Sequence, residues 1–254
     1  MTKIDVMKKL KIFLGSIMIL CSLFSFAQKG TSFIGVSGGI SLPTGNWAKA
    51  NYIVSTTGYV SDPSGFAASG IAGELNGAYF FSPYFGIGGL INYATYKTKD
   101  INTLSAGYRE SFDVDQVTTT AGSYKIENFL AGIYFNYPVA KRLSLTARAL
   151  AGIAHATTPL YTVDVEDGGI DDGTFEQKSA SKTAFAFDIG AGLSYPIINT
   201  IAINLRADYF YAKPDFSIEN TQRQNAAGRY VTEYDQPLAG VNVSLGVAWL
   251  IIKK

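Results

Sequence analysis

Past Gln28 the chain reads as a series of segments in which apolar residues alternate with small or polar ones, the period of two that sends successive side chains to opposite faces of a strand. From Leu238 to Ile251, Ala239, Val241, Val243, Leu245, Val247, Trp249 and Ile251 share one face. Gly240, Asn242, Ser244, Gly246 and Ala248 share the other. Ile201 to Tyr211 repeats the pattern, setting Ile201, Ile203, Leu205, Ala207, Tyr209 and Tyr211 against Asn204, Arg206 and Asp208. Phe185, Phe187, Ile189, Ala191, Leu193 and Tyr195 likewise oppose Ala186, Asp188, Gly190, Gly192 and Ser194. The same spacing, weaker where glycine is dense, predicts strands over Phe33 to Leu42, Ala68 to Phe81, Phe85 to Lys97, Tyr124 to Tyr137 and Leu143 to Ala154.

The connections alternate as well. Tight turns lie at Ser82-Pro83, Pro138 to Arg142 and Pro196 to Thr200, and long connections run Pro43 to Ala67, Lys99 to Ala121, Ala156 to Ser181 and Pro214 to Gln236. Eight amphipathic strands joined in this way predict an all-β fold, an eight-stranded antiparallel up-and-down transmembrane β-barrel, because closure leaves no unpaired backbone edge in hydrocarbon. The region from Trp47 to Ser64 has room for an additional β-extension above the membrane. The tight turns echo one another: Gly77-Ala78-Tyr79-Phe80-Phe81-Ser82-Pro83, Gly132-Ile133-Tyr134-Phe135-Asn136-Tyr137-Pro138 and Gly192-Leu193-Ser194-Tyr195-Pro196 each run glycine, aromatics, proline. Their aromatics, Tyr79, Phe81, Phe135, Tyr137 and Tyr195 among them, together with Trp249, are expected to girdle one membrane interface. Tyr209 and Tyr211, with Tyr93, Phe129 and Phe185, are expected at the other.

The N-terminus places this barrel. Lys3, Lys8, Lys9 and Lys11 precede an apolar run from Ile12 to Phe26, and Ala27-Gln28-Lys29 turns polar, the pattern of a secretory signal peptide. The expected division is a signal over residues 1–27 and a barrel domain over 28–254. Translation from Met7 would give a cleaner basic region than translation from Met1 with its Asp5. A retained anchor would need about 20 apolar residues, and acylation of Cys21 would want small residues where Met18, Ile19 and Leu20 stand. Cleavage after Ala27 removes the one cysteine, leaving no disulfide or thiolate chemistry. With both termini periplasmic, the long connections face outward.

Composition agrees with a membrane barrel: 47% of residues are hydrophobic and only 16% charged, yet no later run is long enough for a transmembrane helix. A formal charge of +1 implies no nucleic-acid footprint. Glu74, Arg148, Asp188, Arg206 and Asp208 all fall on the inward parity, at similar distances from the tight turns, so they are expected to meet as a salt-bridged charge network in the lumen. Their pairing does not follow from the sequence. The network would either satisfy itself in a low-dielectric interior or act as a gate in which an arginine changes partners.

Other candidate chemistry is thinner. His155, the only histidine, lies outward near Thr157 and Thr158, a histidine and hydroxyl with no identifiable acid partner. Asp164, Glu166, Asp167, Asp171, Asp172 and Glu176 crowd one long connection with Gly168, Gly169 and Gly173, a composition able to bind calcium but without the spacing of an EF-hand. Gly86-Ile87-Gly88-Gly89 and Gly190-Ala191-Gly192 lie within strands and are not phosphate loops. Asn242-Val243-Ser244 is a formal glycosylation sequon inside the last strand.

The signal, the eight amphipathic strands and the glycine-aromatic hairpins together resemble the small outer-membrane barrels, the OmpA-type transmembrane domain and OmpX-like proteins, particularly versions common in Bacteroidota. Val243-Ser244-Leu245-Gly246-Val247-Ala248-Trp249 looks like the C-terminal strand signal read by the barrel-assembly machinery, although the chain continues Leu250-Ile251-Ile252-Lys253-Lys254 and does not end on an aromatic residue. The resemblance implies a bacterial outer-membrane location and, as partners, outer-membrane lipid and lipopolysaccharide, the assembly machinery and an extracellular ligand or protein at the loops. No cofactor, metal or enzyme activity is expected. A rigid barrel displaying four mobile loops is the first reading of function, a small porin-like channel the second, and a lipid-modifying enzyme through His155 a distant third.

Overall fold

The computed structural model describes residues 31–51, 59–61, 64–221 and 229–251. The signal-peptide reading of residues 1–27, with Met7 and Cys21, lies outside the described residues. Eight long strands close into a barrel: β1 (Ser32–Thr44), β3 (Ala67–Phe80), β4 (Phe85–Thr98), β6 (Ser123–Ala140), β7 (Leu143–Thr157), β10 (Ser181–Ile198), β11 (Ile201–Ala212) and β14 (Leu238–Ile251). Each pairs antiparallel with its successor, and β1 closes the ring by pairing β14 on one side and β3 on the other. No helix among the described residues is long and apolar enough to cross a membrane, so any crossing is made by strands.

Strand parity sorts the side chains. Ile87, Ile133, Ile153, Ile189, Leu245 and Trp249 stand exposed on the outside, while Leu90, Leu130, Leu150 and Ala248 are buried inside. About ten residues of a strand tilted by some 40° rise about 25 Å, the height of a bilayer's apolar band. Prolines of the repeated hairpin motif mark where pairing lapses: the register shifts at Pro138/Ala140 and at Pro196/Ile198, beside two of the tight turns, where a residue without an N–H is tolerated. At the third, the Ser82 hydroxyl accepts a hydrogen bond from the Phe85 N–H at 2.8 Å.

The long connections depart from the expectation of four mobile loops. Each contributes at least one strand to a second, six-stranded sheet above the barrel: β2 (Tyr59–Ser61), β5 (Gln116–Ala121), β8 (Tyr161–Asp167), β9 (Ile170–Gln177), β12 (Asp215–Thr221) and β13 (Arg229–Asp235), in the order β2-β13-β12-β9-β8-β5. The β-extension within residues 47–64 is β2, running parallel to β13. A helix over Ile101–Phe112 covers part of this crown, burying Leu104 and Tyr108 against Tyr161, Val163, Val165 and Phe175. These loops are folded because they carry their own core: Val163 and Val165 are fully buried, and the Tyr108 and Phe175 rings lie 5.7 Å apart.

Candidate functional site: the barrel interior and its crown

The interior is crossed by side chains at three levels. At the crown end, a single helical turn over Gly45–Ala48 delivers Trp47, fully buried, into the mouth of the barrel. Its ring meets Tyr96 edge-on at 4.4 Å and Tyr124 at 5.7 Å. The Tyr96 hydroxyl bonds the Ser41 hydroxyl at 2.6 Å, Ser41 in turn donates to Asn242, and the Tyr124 hydroxyl donates to the Gly65 carbonyl at 2.9 Å. Gly65 is required here, since a Cβ would collide with the Trp47 ring.

The middle level is charged. Arg148 reaches from β7 to three other strands. Its Nη1 and Nη2 donate to the two oxygens of Glu74 on β3 at 3.2 and 3.0 Å, and its Nε donates to Asp188 on β10 at 2.9 Å. Asp208 Oδ1 on β11 lies at the same 2.9 Å from Nε, and Arg206 Nη1 stands 3.9 Å from Glu74. The five residues named from parity are thus brought to one place, every side chain under a tenth exposed. Strand parity made them findable, and the pairing emerges only from the closed ring: β3 and β7 are separated by β4 and β6. Amides extend the layer, Asn76 donating to Glu74 at 2.6 Å and Asn128 to Asn92 at 3.1 Å. Arginine suits the hub because its planar fork serves several carboxylates at once.

At the tight-turn end, Phe33, Phe80 and Tyr134 pack across the lumen, with ring centroids 5.9 Å apart for Phe33–Tyr134 and 6.5 Å for Phe33–Phe80. This corrects the expectation that all aromatics of the repeated hairpin motif form the girdle. Tyr79 and Phe80 are neighbours in one strand and so face opposite ways; only Tyr79 is exposed, and Phe80 is buried. Tyr134 turns inward for the same reason and donates its hydroxyl to the Gly89 carbonyl at 3.2 Å. A cavity of about 130 Å³ lies among Phe33, Phe80, Tyr134, Asn204 and Arg206.

This combination of an amphipathic closed barrel, outward hydrocarbon-like face and ionic interior has a family counterpart. Residues 16–249 match the outer membrane protein beta-barrel domain. The chain belongs to that family. Its place is accordingly the bacterial outer membrane. No curated protein sequence matches the chain. Among solved structures it is similar to Ail, the attachment invasion locus protein of Yersinia pestis, at 14% identity and a TM-score of 0.42, covering 88% of this chain and 100% of that one. It is also similar to a major outer membrane protein from Thermus thermophilus (11%, 0.47, covering 87% and 99%) and to OprG from Pseudomonas aeruginosa (12%, 0.42, covering 89% and 99%).

On the outer surface of this outer-membrane barrel, Tyr137, Tyr195, Trp249 and Tyr209 are exposed, and Phe81, Phe135 and Tyr211 are half-buried against their neighbours. Phe135 stacks on Tyr137 at 6.4 Å and Phe187 on Tyr211 at 5.4 Å. His155 bonds neither Thr157 nor Thr158. Its Nδ1 lies 3.0 Å from the Thr183 hydroxyl on β10, and Glu127 on β6 occupies the opposite register position. Thr158 is buried and accepts from the Ala180 N–H at 2.9 Å. The acidic connection is a hairpin, β8 to β9. Gly168 and Gly169, at φ +58° and +75°, make the two-residue turn that demands positive φ at both central positions, which accounts for the glycines without a ligand. One of its carboxylates, Asp164, accepts from the Thr174 hydroxyl at 2.9 Å.

Proposed function

We propose that this protein is a closed, non-conducting barrel whose role is to hold its folded crown at the cell surface as an interaction platform. The observation that carries the reading is the triple crossing of the lumen. A solute entering from the crown meets Trp47 between Tyr96 and Tyr124, then the Arg148 cluster, then Phe33 with Phe80 and Tyr134. An eight-stranded barrel is only wide enough for side chains to fill it, and here large ones do. The charge network acts as a plug: opening a path would strip a guanidinium or carboxylate of its partners in a low-dielectric space. Surface contacts then fall to the crown and to the apolar outer wall. The crown takes an extracellular ligand or protein, and the wall takes membrane lipid and lipopolysaccharide. In this reading no residue is catalytic, and neither a cofactor nor a metal takes part.

Planar-bilayer recording tests the plug. The native barrel is expected to stay silent. Arg148→Ala combined with Arg206→Ala removes the cations of the ionic level alone, and Trp47→Ala, Phe33→Ala and Phe80→Ala added to that pair, which take out the other two levels, are expected to give discrete openings. Steady conductance by the native protein would make it a pore and overturn the reading. Orientation is tested by inserting an epitope between Gly168 and Gly169: antibody binding to intact cells is expected, and binding only after permeabilisation would refute surface display.

A further inference from the structure

The charged level does not balance. Among the described residues Glu74, Asp188 and Asp208 face only Arg148 and Arg206, so the five fully ionised carry one negative charge in excess at a level where every side chain is under a tenth exposed. Asp208 is where the excess is concentrated. It is 2% exposed, and neither of its carboxylate oxygens has a hydrogen-bond donor. The nearest candidate, the Nε–H of Arg148, has a single hydrogen and gives it to Asp188, so Asp208 has the attraction of the guanidinium without a hydrogen bond from it.

The groups around this carboxylate come from every side of the ring. Arg148 approaches from β7, Asp188 from β10, Glu74 from β3 and Arg206 from β11 itself, while the phenol of Tyr134 on β6 lies beside Arg148, Arg206 and Glu74. The remaining strands offer Ser37 on β1, Asn92 on β4 and Asn242 on β14, which carry no charge and line the same space as Glu74. Space is also reserved for the group. Asp208 leans over Gly190 of the adjacent strand so closely that a Cβ there would overlap its Oδ1.

We propose that Asp208, with Asp188 beside it, is a binding site for one exchangeable positive charge, a proton or a small monovalent cation. A single charge is what the cluster lacks, and two carboxylates converging on one Nε are suited to share it. Asp188 and Asp208 converge on the Nε edge of Arg148 and Glu74 on its Nη edge, so a charge held between the two aspartates relieves their mutual repulsion and lets both stay beside the arginine. The site rests on the walled-off lumen argued above, but its test reads stability, so its failure is distinguishable from a failure of the plug, which is read as conductance.

The experiment is equilibrium unfolding by urea of the refolded protein in phosphatidylcholine vesicles, followed by tryptophan fluorescence. pH and sodium are varied separately, with ionic strength held by choline chloride. If the charge is a proton, the folded barrel holds one that the unfolded chain has released, so from about pH 4, where an unfolded aspartate ionises, up to the pH at which the folded site lets its proton go, stability falls as pH rises, the unfolding constant increasing about tenfold per pH unit and levelling off above. An infrared band of a protonated carboxyl accompanies it. If the charge is sodium, the constant instead falls about tenfold for each tenfold rise in sodium above its dissociation constant, at fixed pH. Either dependence should disappear in Asp208→Asn, and in Asp188→Asn should one of the two not refold. An unfolding constant indifferent to both pH and sodium, without the infrared band, would overturn the proposal. So would a slope retained in both variants.

Discussion

Arg148 is the residue on which the interior turns, and Arg148→Ala is the most informative single change. Removing it deletes two hydrogen bonds to Glu74 and one to Asp188, and strands three buried carboxylates with Arg206 as the only cation left in the cluster. Breaking one buried ion pair by removing a partner typically costs about 3–5 kcal/mol, because the charge left behind is uncompensated. With three carboxylates released together, a loss of at least about 4 kcal/mol is expected, on the order of a thousandfold in the unfolding constant. The assay is urea unfolding in lipid vesicles, with Trp47 and Trp249 as the reporters. The instructive control neutralises the whole set, combining Arg148→Met with Glu74→Gln, Asp188→Asn and Asp208→Asn. Replacing a buried ionic group by neutral residues of similar volume is often near neutral, so this variant should recover most of the loss. If Arg148→Ala cost less than about 1 kcal/mol, the carboxylates would have to be reached by water, and the walled-off interior would be wrong.

Three further outcomes are expected. Gly190→Ala drives a methyl into Asp208 Oδ1, an overlap that the two strands must move apart to relieve, and should cost about 1–3 kcal/mol in the same unfolding assay. Ile91→Lys puts a charge on the exposed hydrocarbon face and should cost about 2–4 kcal/mol in vesicles, whereas Ile170→Lys at the tip of the crown hairpin should stay within about 0.5 kcal/mol. In the crown, burial pushes the Tyr161 phenol up to about 12, and burial with the neighbouring Tyr161 raises that of Tyr234. Because an unfolded phenol ionises near 10, crown stability is complete below that pH and is lost as pH climbs from 10 towards 12. Tyrosinate absorbance tracked against proteolysis of the crown checks this, and Tyr161→Phe should shift the loss to higher pH.

The barrel was legible in the sequence because its determinants are local. A period of two is written into each strand, and tight turns carry their own prolines and glycines. Parity then assigns Arg148, Asp188, Arg206 and Asp208 to the interior without any knowledge of neighbours. The same rule applied residue by residue places Phe80 and Tyr134 inside, whereas the hairpin motif taken as a block puts every aromatic on the wall. The pairing was not legible, and of the crown only the β-extension within residues 47–64 was. Which carboxylates Arg148 reaches depends on ring closure and shear, and β3, β10 and β11 are each far from it in the chain. The crown arises because the barrel rim holds the connections close enough to pair into one sheet, and because Val163, Val165 and Phe175 of one connection are buried against a helix from another. Trp47 illustrates the limit: nothing in its neighbourhood marks it, and only the barrel mouth beneath that one-turn helix makes it the residue that fills the lumen. The strands and their faces are local properties and follow from the alternation along the chain. Tertiary structure decided the ion-pair partners, the crown and the aromatic stoppers, because each is a contact between segments that only closure of the barrel brings together.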